Sequence, residues 1–199
     1  MTVSNTAGCT DSNSTTACTA IDIAATKAAA SVADVLVFLV GTGEKIESEI
    51  VDHGIGATLK LPGEQETLIA TARAAAPSKP FVVILFTTSP KNGPWMEDAD
   101  AVIYANYPQN GGAAAIADTL LGRISPAGRL PVTWHKHWNC SIHPDPNNVG
   151  RTTGRCEIMP AKLLGTNLTY RYGASDNTLY PFGYVSTTCQ VEPNASLLP

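Results

Sequence analysis

Apolar residues along this chain recur at two different spacings. Ile21, Ala24, Ala25, Ala28 and Val32 follow the three- and four-residue interval of a helix, and Val35 to Val40 then runs apolar without a break. An unbroken run of strand length predicts a strand covered on both faces, so the segment reads as a helix feeding a buried strand. Leu68, Ile69, Ala72, Ala75 and Ala76 repeat the helical interval ahead of a second apolar run, Phe81 to Phe86, with Pro77 and Pro80 punctuating the join. Ala101 to Tyr104 predicts a third strand. Ala113, Ile116, Ala117, Leu120 and Leu121 then form the stripe of a third helix, with Gly122 suited to its C-terminal cap.

Helices alternating with short apolar strands predict an α/β fold: a mostly parallel sheet with helices on both faces, a three-layer α/β/α sandwich of flavodoxin-like type. The alanine-rich stripes let the helices lie close to the sheet. After Trp134 the pattern dissolves into Pro, Asn, Gly, Cys and His, with no clear period until Leu168 to Tyr172. Residues 135–199 therefore read as long C-terminal loops with one or two strands wrapped on the domain. The expected boundaries are an N-terminal loop over 1–18, the domain over 19–184 and a tail over 185–199.

Composition narrows the partners. A net charge of −4, with 44% apolar and 15% charged residues, is a globular balance without the basic field that a phosphate backbone needs. Nucleic acid is thereby disfavoured, as are anionic membrane surfaces. No apolar run approaches the roughly 20 residues of a membrane span. The N-terminus lacks the basic and apolar segments of a signal peptide. Yet glycosylation sequons at Asn13, Asn139, Asn167 and Asn194, together with five cysteines, point to a secreted glycoprotein whose signal lies on upstream sequence. Cys9 and Cys18 flank a polar Ser/Thr/Asn-rich loop with little other means of ordering, and a disulfide between them would fix it. Cys140, Cys156 and Cys189 leave an odd count, and the pairing among them stays open.

In open parallel sheets ligands bind beyond the carboxyl ends of the strands, so the segments after Val40, Phe86 and Tyr104 are where chemistry is expected. The first carries Glu44, Glu47, Glu49 and Asp52 within nine residues, with Lys45 and His53 as its basic neighbours. Two readings compete. Acidic residues on a loop are ordinarily just solvated; alternatively, crowded like charges under a closing lid raise one carboxyl's pKa, as a general acid requires. Gly41-Thr42-Gly43 invites a dinucleotide reading, but Ile46 stands where the third glycine belongs and no apolar helix follows. His135, His137 and His143 with Cys140 and Asp145 lack any zinc-binding spacing, so neither metal nor cofactor is expected. Trp95, Trp134 and Trp138 could stack on sugar rings or serve as core. Ser89 precedes a proline rather than sitting in a glycine-flanked elbow, which argues against a serine hydrolase.

Several strings together resemble one family. Ile46-Glu47-Ser48-Glu49 with Asp52 and Leu61-Pro62-Gly63 resembles a loop of paired glutamates, an Asp-Arg and a Leu-Pro-Gly. Gly8-Cys9 and Cys18 resemble a Gly-Cys and Cys before the first helix. Tyr107-Pro108, Gly111-Gly112, Ile116-Ala117-Asp118, Gly122 and Gly128 to Trp134 resemble the next stretch, and Thr169 to Tyr172 with Tyr180 to Tyr184 resemble its close. From about residue 8 to 185 the chain is similar to the C-terminal α/β sandwich domain of glycoside hydrolase family 3, on its plant and fungal β-xylosidase branch.

That resemblance implies a retaining β-glycosidase acting on terminal non-reducing sugars of a β-linked xyloside or glucoside. Its Asp nucleophile sits on a (β/α)8 barrel, in cis or in trans, and its general acid/base on the sandwich domain. Glu47, first of the paired glutamates, is the expected acid/base, with Glu44 and Glu49 in reserve. The chain alone, lacking the nucleophile, is then expected to be inactive. Three departures stand out: His53 replaces the usual arginine, the loop through Gln109-Asn110 is one residue short, and Val185-Ser186-Thr187 replaces the usual Gly-Leu-Ser-Tyr. The alternative is a non-catalytic carbohydrate-binding or assembly module that has lost its barrel.

Overall fold

The computed structural model describes residues 2–10, 18–43, 46, 59–136, 171 and 178–185. They fall into two units, one of residues 1–107 with 137–158 and one of residues 108–136 with 159–199, each taken here by itself.

The first unit is built on a parallel sheet of β1 (Leu36–Gly41), β2 (Phe81–Phe86) and β3 (Ala101–Tyr104), in that order. Leu36 faces Phe81 and Val82 faces Ala101, so β2 is the central strand. Its six apolar residues suit that place: Phe81, Val83 and Leu85 have no exposed surface and Ile84 only 1%. The sheet and its connecting helices establish the α/β class expected from the periodicity.

β1 departs from expectation. Leu36, Phe38 and Val40 are buried, but Val37 and Leu39 are 47% and 67% exposed. It lies at the edge of the described sheet, where one face is covered and the other is not. An apolar run has the same appearance in either case, which is why periodicity could not separate them.

Helix α1 (Ile23–Val32) starts where Asp22 Oδ1 accepts the Ala25 N–H at 2.9 Å, an N-cap that satisfies one of the free first-turn donors. Its buried residues are Thr26 and Ala30, while Ile23 and Val32 are exposed. The buried face is therefore turned from the Ala24, Ala28 and Val32 stripe. Alanines stand on every side of this helix, so hydrophobicity alone marks no face strongly. Helix α2 (Gln65–Ala75) is clearer: Gln65, Ile69 and Ala72 are buried at helical spacing, with Ala76 just beyond. Helix α3 (Pro94–Asp98) was not anticipated, because a five-residue helix is too short to display a period. Pro94 at its start and buried Trp95 and Met96 account for it.

Ahead of α1, Cys9 and Ile21 form an antiparallel bridge flanked by Thr10 N–H to Ala20 O and Asp22 N–H to Gly8 O, both 3.0 Å. The expected disulfide joins Cys9 to Cys18, with Cα atoms 5.4 Å apart. Cys18 is buried, and its carbonyl accepts the Glu64 N–H at 2.6 Å just ahead of α2. The N-terminal loop is thus tied into the unit.

The second unit holds helix α4 (Gly112–Leu120) and an antiparallel pair, β4 (Trp134–His135) with β5 (Thr178–Tyr180). Gly122, at φ 68°, ends α4 as expected: its N–H bonds Thr119 O at 3.1 Å and the Arg123 N–H bonds Asp118 O at 2.8 Å, a Schellman closure. The two family strings of this unit are joined to each other. Leu130 exchanges backbone bonds with Tyr184 and Gly183 at 3.0 and 2.8 Å, Trp134 lies 6.2 Å from Tyr180, and Tyr180 stacks on Tyr184 at 4.7 Å. Buried Trp134 and Trp95 are core residues, not open sugar platforms. Of the expected strand at Leu168 to Tyr172, only Arg171 is among the described residues, its guanidinium 4.9 Å over the Phe182 ring.

Candidate active-site loop

The three strands of the first unit end together, and their carboxyl ends are cross-linked by polar contacts. At the end of β1, Gly41 adopts φ 149°, and a Cβ there would stand 1.8 Å from Phe86 O. Glycine permits both the turn and the close approach to β2. The Gln65 side chain clamps the same residue: its Oε1 accepts Gly41 N–H at 2.7 Å and its Nε2 donates to Gly41 O at 2.8 Å. Thr42 N–H continues to Phe86 O at 2.7 Å, and the Thr42 hydroxyl lies 3.1 Å from the Tyr107 hydroxyl. Tyr107 is set beyond β3 by Asn106, whose φ of 55° lets its Oδ1 accept the Tyr107 N–H at 2.9 Å.

The loop after β2 is organised in the same way. Thr87 Oγ1 bonds both the carbonyl and the N–H of Ser89, at 3.0 and 3.2 Å, and Tyr104 Oη donates to Thr88 O at 3.2 Å. Asn92 N–H bonds Leu59 O, which fixes the residue where the chain returns from the acidic segment. Lys91, beside it, has no exposed surface. At the other end of that segment Ile46 N–H bonds Gly43 O at 2.9 Å. The start of the acidic loop is therefore held at the carboxyl edge of the sheet, where an open parallel sheet presents its ligand site, and its return is held to the loop that follows β2.

Glu44, Glu47 and Glu49 lie outside the described residues, as do Lys45, Asp52 and His53. So do His137, Cys140, His143, Asp145, Trp138, Cys156 and Cys189, and the four sequon asparagines. Among the described residues no group of three or more His, Cys, Asp or Glu could hold a metal, and no helix is long and apolar enough to cross a membrane.

Sequence reasoning overlooked Gln65 and Lys91, and took Tyr107 only as part of a family string. Gln65 did leave a trace, as a polar residue in register with the apolar stripe of its helix. Lys91 left none, because a lysine between proline and asparagine reads as an ordinary loop cation.

Residues 3–188 match a family profile described as Glycosyl hydrolase family 3 C-terminal domain. Beta-D-xylosidase 1 of Arabidopsis thaliana is 38% identical over 166 residues, covering 80% of this chain and 19% of that protein. A beta-glucosidase of Rhizobium radiobacter is 32% identical over 155 residues, 76% of this chain and 18% of that protein. Among solved structures, the beta-glucosidase from Kluyveromyces marxianus in complex with glucose superposes with a TM-score of 0.51 at 31% identity, over 58% of this chain and 14% of that one. The chain spans 19% and 18% of the two curated relatives, so most of each relative has no counterpart in it.

Proposed function

Because the chain belongs to the glycosyl hydrolase family 3 C-terminal domain family, we propose that it supplies the general acid/base of a retaining β-glycosidase of β-xylosidase type. The catalytic partner is a (β/α)8 barrel, in cis or in trans, that carries an Asp nucleophile. The substrate is a terminal non-reducing sugar of a β-linked xyloside or glucoside, in keeping with the relatives named β-xylosidase and β-glucosidase. Sequons and the Cys9–Cys18 disulfide support an extracellular, glycosylated protein.

The observation that carries this reading is the anchoring of the acidic loop. Gly41 and Thr42 are bonded to Gln65 and Phe86, and Leu59 to Asn92, so the residues that flank the loop on either side are fixed. Glu47, first of its paired glutamates, is the acid/base, with Glu44 and Glu49 in reserve. In the first step its carboxylic acid gives a proton to the glycosidic oxygen as the barrel's carboxylate attacks the anomeric carbon. In the second, its carboxylate takes a proton from the water that hydrolyses the glycosyl-enzyme. Retention needs the two carboxyls roughly 5–5.5 Å apart, which requires the loop to enter the barrel's mouth.

The test is hydrolysis of nitrophenyl β-xyloside, β-glucoside and α-arabinofuranoside by this chain alone and mixed with the barrel of a family relative. Activity in the mixture only is the expected result. In that mixture Glu47→Gln should cost about 10²–10⁴-fold on substrates with poor leaving groups and much less on nitrophenyl ones. Equal loss on both classes would refute the role of Glu47. Sugar binding by the isolated chain with no activity in any mixture would identify a binding module instead.

A further inference from the structure

We propose that the Cys9–Cys18 disulfide is a positioning element for the exit of β1: through the N-terminus of α2 it sets the Gln65 clamp on Gly41, and its reduction by a dithiol loosens that clamp while the sheet stays folded. Its bearing on catalysis rests on the reading of the acidic loop that starts at this exit. The link itself stands on three sets of contacts within the first unit.

The first joins Cys18 to the start of α2. Cys18 is buried, and its carbonyl accepts the Glu64 N–H at 2.6 Å. Gly63, at φ 62°, lies so close that a Cβ there would stand 2.2 Å from Cys18 O. Glu64 is the N-cap of α2, and its side chain makes no capping bond. In a capping box the N–H of the N-cap residue is taken by a side chain of the helix; here the Cys18 carbonyl takes it. Backbone contact with Cys18 therefore fixes the entry of this helix.

The second pins the other cysteine. Gly8 O and Thr10 N–H, on either side of Cys9, bond Asp22 N–H and Ala20 O, both at 3.0 Å. A Cβ at Gly8 would stand 2.7 Å from both Cδ atoms of Leu68, which is one turn along α2 and donates its N–H to Glu64 O at 2.8 Å. Cys9 is thus held to the segment ahead of α1 and to α2, and the disulfide passes that constraint to Cys18.

The third is the clamp. Gln65 follows Glu64 directly, and its amide bonds both the N–H and the carbonyl of Gly41. Two bonds from one side chain to one residue tolerate little movement of the backbone that carries it, because both distances and both angles must hold. A shift at Cys18 therefore reaches Gly41 through the consecutive residues Gly63, Glu64 and Gln65. Cys9 is half-buried, which leaves the bond open to a small dithiol. The dithiol gives up two electrons and two protons and closes to its own disulfide, and Cys9 and Cys18 become separate thiols, so buried Cys18 is no longer tied to Cys9.

The test is the equilibrium between oxidised and reduced Cys9–Cys18 in dithiothreitol buffers at neutral pH, for the 199-residue chain and for its Gln65→Leu variant, read by alkylation and mass mapping of these two cysteines. Coupling is reciprocal: a disulfide that supports the clamp is supported by it to the same degree. Gln65→Leu should therefore make the bond about three- to tenfold easier to reduce, a coupling in the range of residues that share one network. A shift under about twofold, as independent sites give, would overturn the proposal. The double variant Cys9→Ser with Cys18→Ser should keep a cooperative melt by circular dichroism; its loss would also overturn the proposal, because the bond would then hold the whole fold and not one edge. If Gln65→Leu does not fold, exchange of the Gly41 amide in the parent decides. Reduction should quicken it about two- to tenfold, the net weight of one hydrogen bond, and an unchanged rate would overturn the link. None of these readouts involves hydrolysis, so their failure leaves the leaving-group test of Glu47 untouched.

Discussion

Replacing Gln65 tests whether the exit of β1 is held by one side chain. Gln65 is only 8% exposed and makes two bonds to one residue, 2.7 Å from Gly41 N–H and 2.8 Å to Gly41 O. Gln65→Leu keeps the bulk and the apolar register with Ile69 and Ala72 but strands one donor and one acceptor. A buried backbone group left without its partner costs about 1–3 kcal/mol. Gly41 is partly accessible, so water recovers some of each bond, and we expect a loss of about 2–3 kcal/mol. In urea, where small domains change by roughly 1–3 kcal/mol per molar, the midpoint should fall by about 1 M. Gln65→Glu sharpens the test. One carboxylate oxygen still accepts the Gly41 N–H, but the other meets the Gly41 carbonyl oxygen where a donor stood. At neutral pH that variant should be less stable than Gln65→Leu despite its closer shape. Both variants within about 0.5 kcal/mol of the parent, a typical surface-substitution effect, would refute the clamp.

Three other perturbations probe the elements around the site. Cys9→Ser with Cys18→Ser opens a loop of sequence separation 9; the loop-entropy relation gives a loss of about 2.5–3 kcal/mol, measured as the difference between this variant and the oxidised parent in urea. Ile84→Ala, at a position 1% exposed in the central strand, should cost about 2–5 kcal/mol by the same assay. Gly122→Ala, at φ 68° with open space around its Cβ, should cost only about 1 kcal/mol, and a circular dichroism melt should show cooperative unfolding.

How far the fold could be read in advance depended on whether each feature was local. β2 and β3 matched their apolar runs end to end, since a strand of that composition needs only its own residues to be recognised. The Cys9–Cys18 disulfide and the Gly122 cap were equally legible, because each closes over a few residues. The one-sided burial of β1 was not, because the cover on a strand's second face is supplied by other parts of the chain. The same holds for the turned face of α1. Candidate chemistry divided along the same line. The acidic loop was visible as a cluster of charge, but what holds its ends was not: Gln65 and Gly41 are 24 residues apart, and Tyr107 reaches Thr42 across 65.

That division bears on how such a loop can work. A carboxylate meant to enter another domain's pocket must project far from its own core, yet arrive within a fraction of an ångström of its working position. Fixing the loop along its length would bury the carboxylate that has to reach the substrate. Fixing its base meets both demands. At the start, Gln65, Phe86 and Tyr107 hold Gly41 and Thr42; at the return, Asn92 holds Leu59. Gln65 and Phe86 stand on α2 and β2, whose cores are buried, and Tyr107 and Asn92 on the loops that follow β3 and β2. On this view, loosening either support should impair catalysis by moving Glu47 out of reach of the proton it transfers. Gln65→Leu in the barrel mixture should therefore slow poor leaving groups more than good ones, with the same selectivity as Glu47→Gln but a smaller loss.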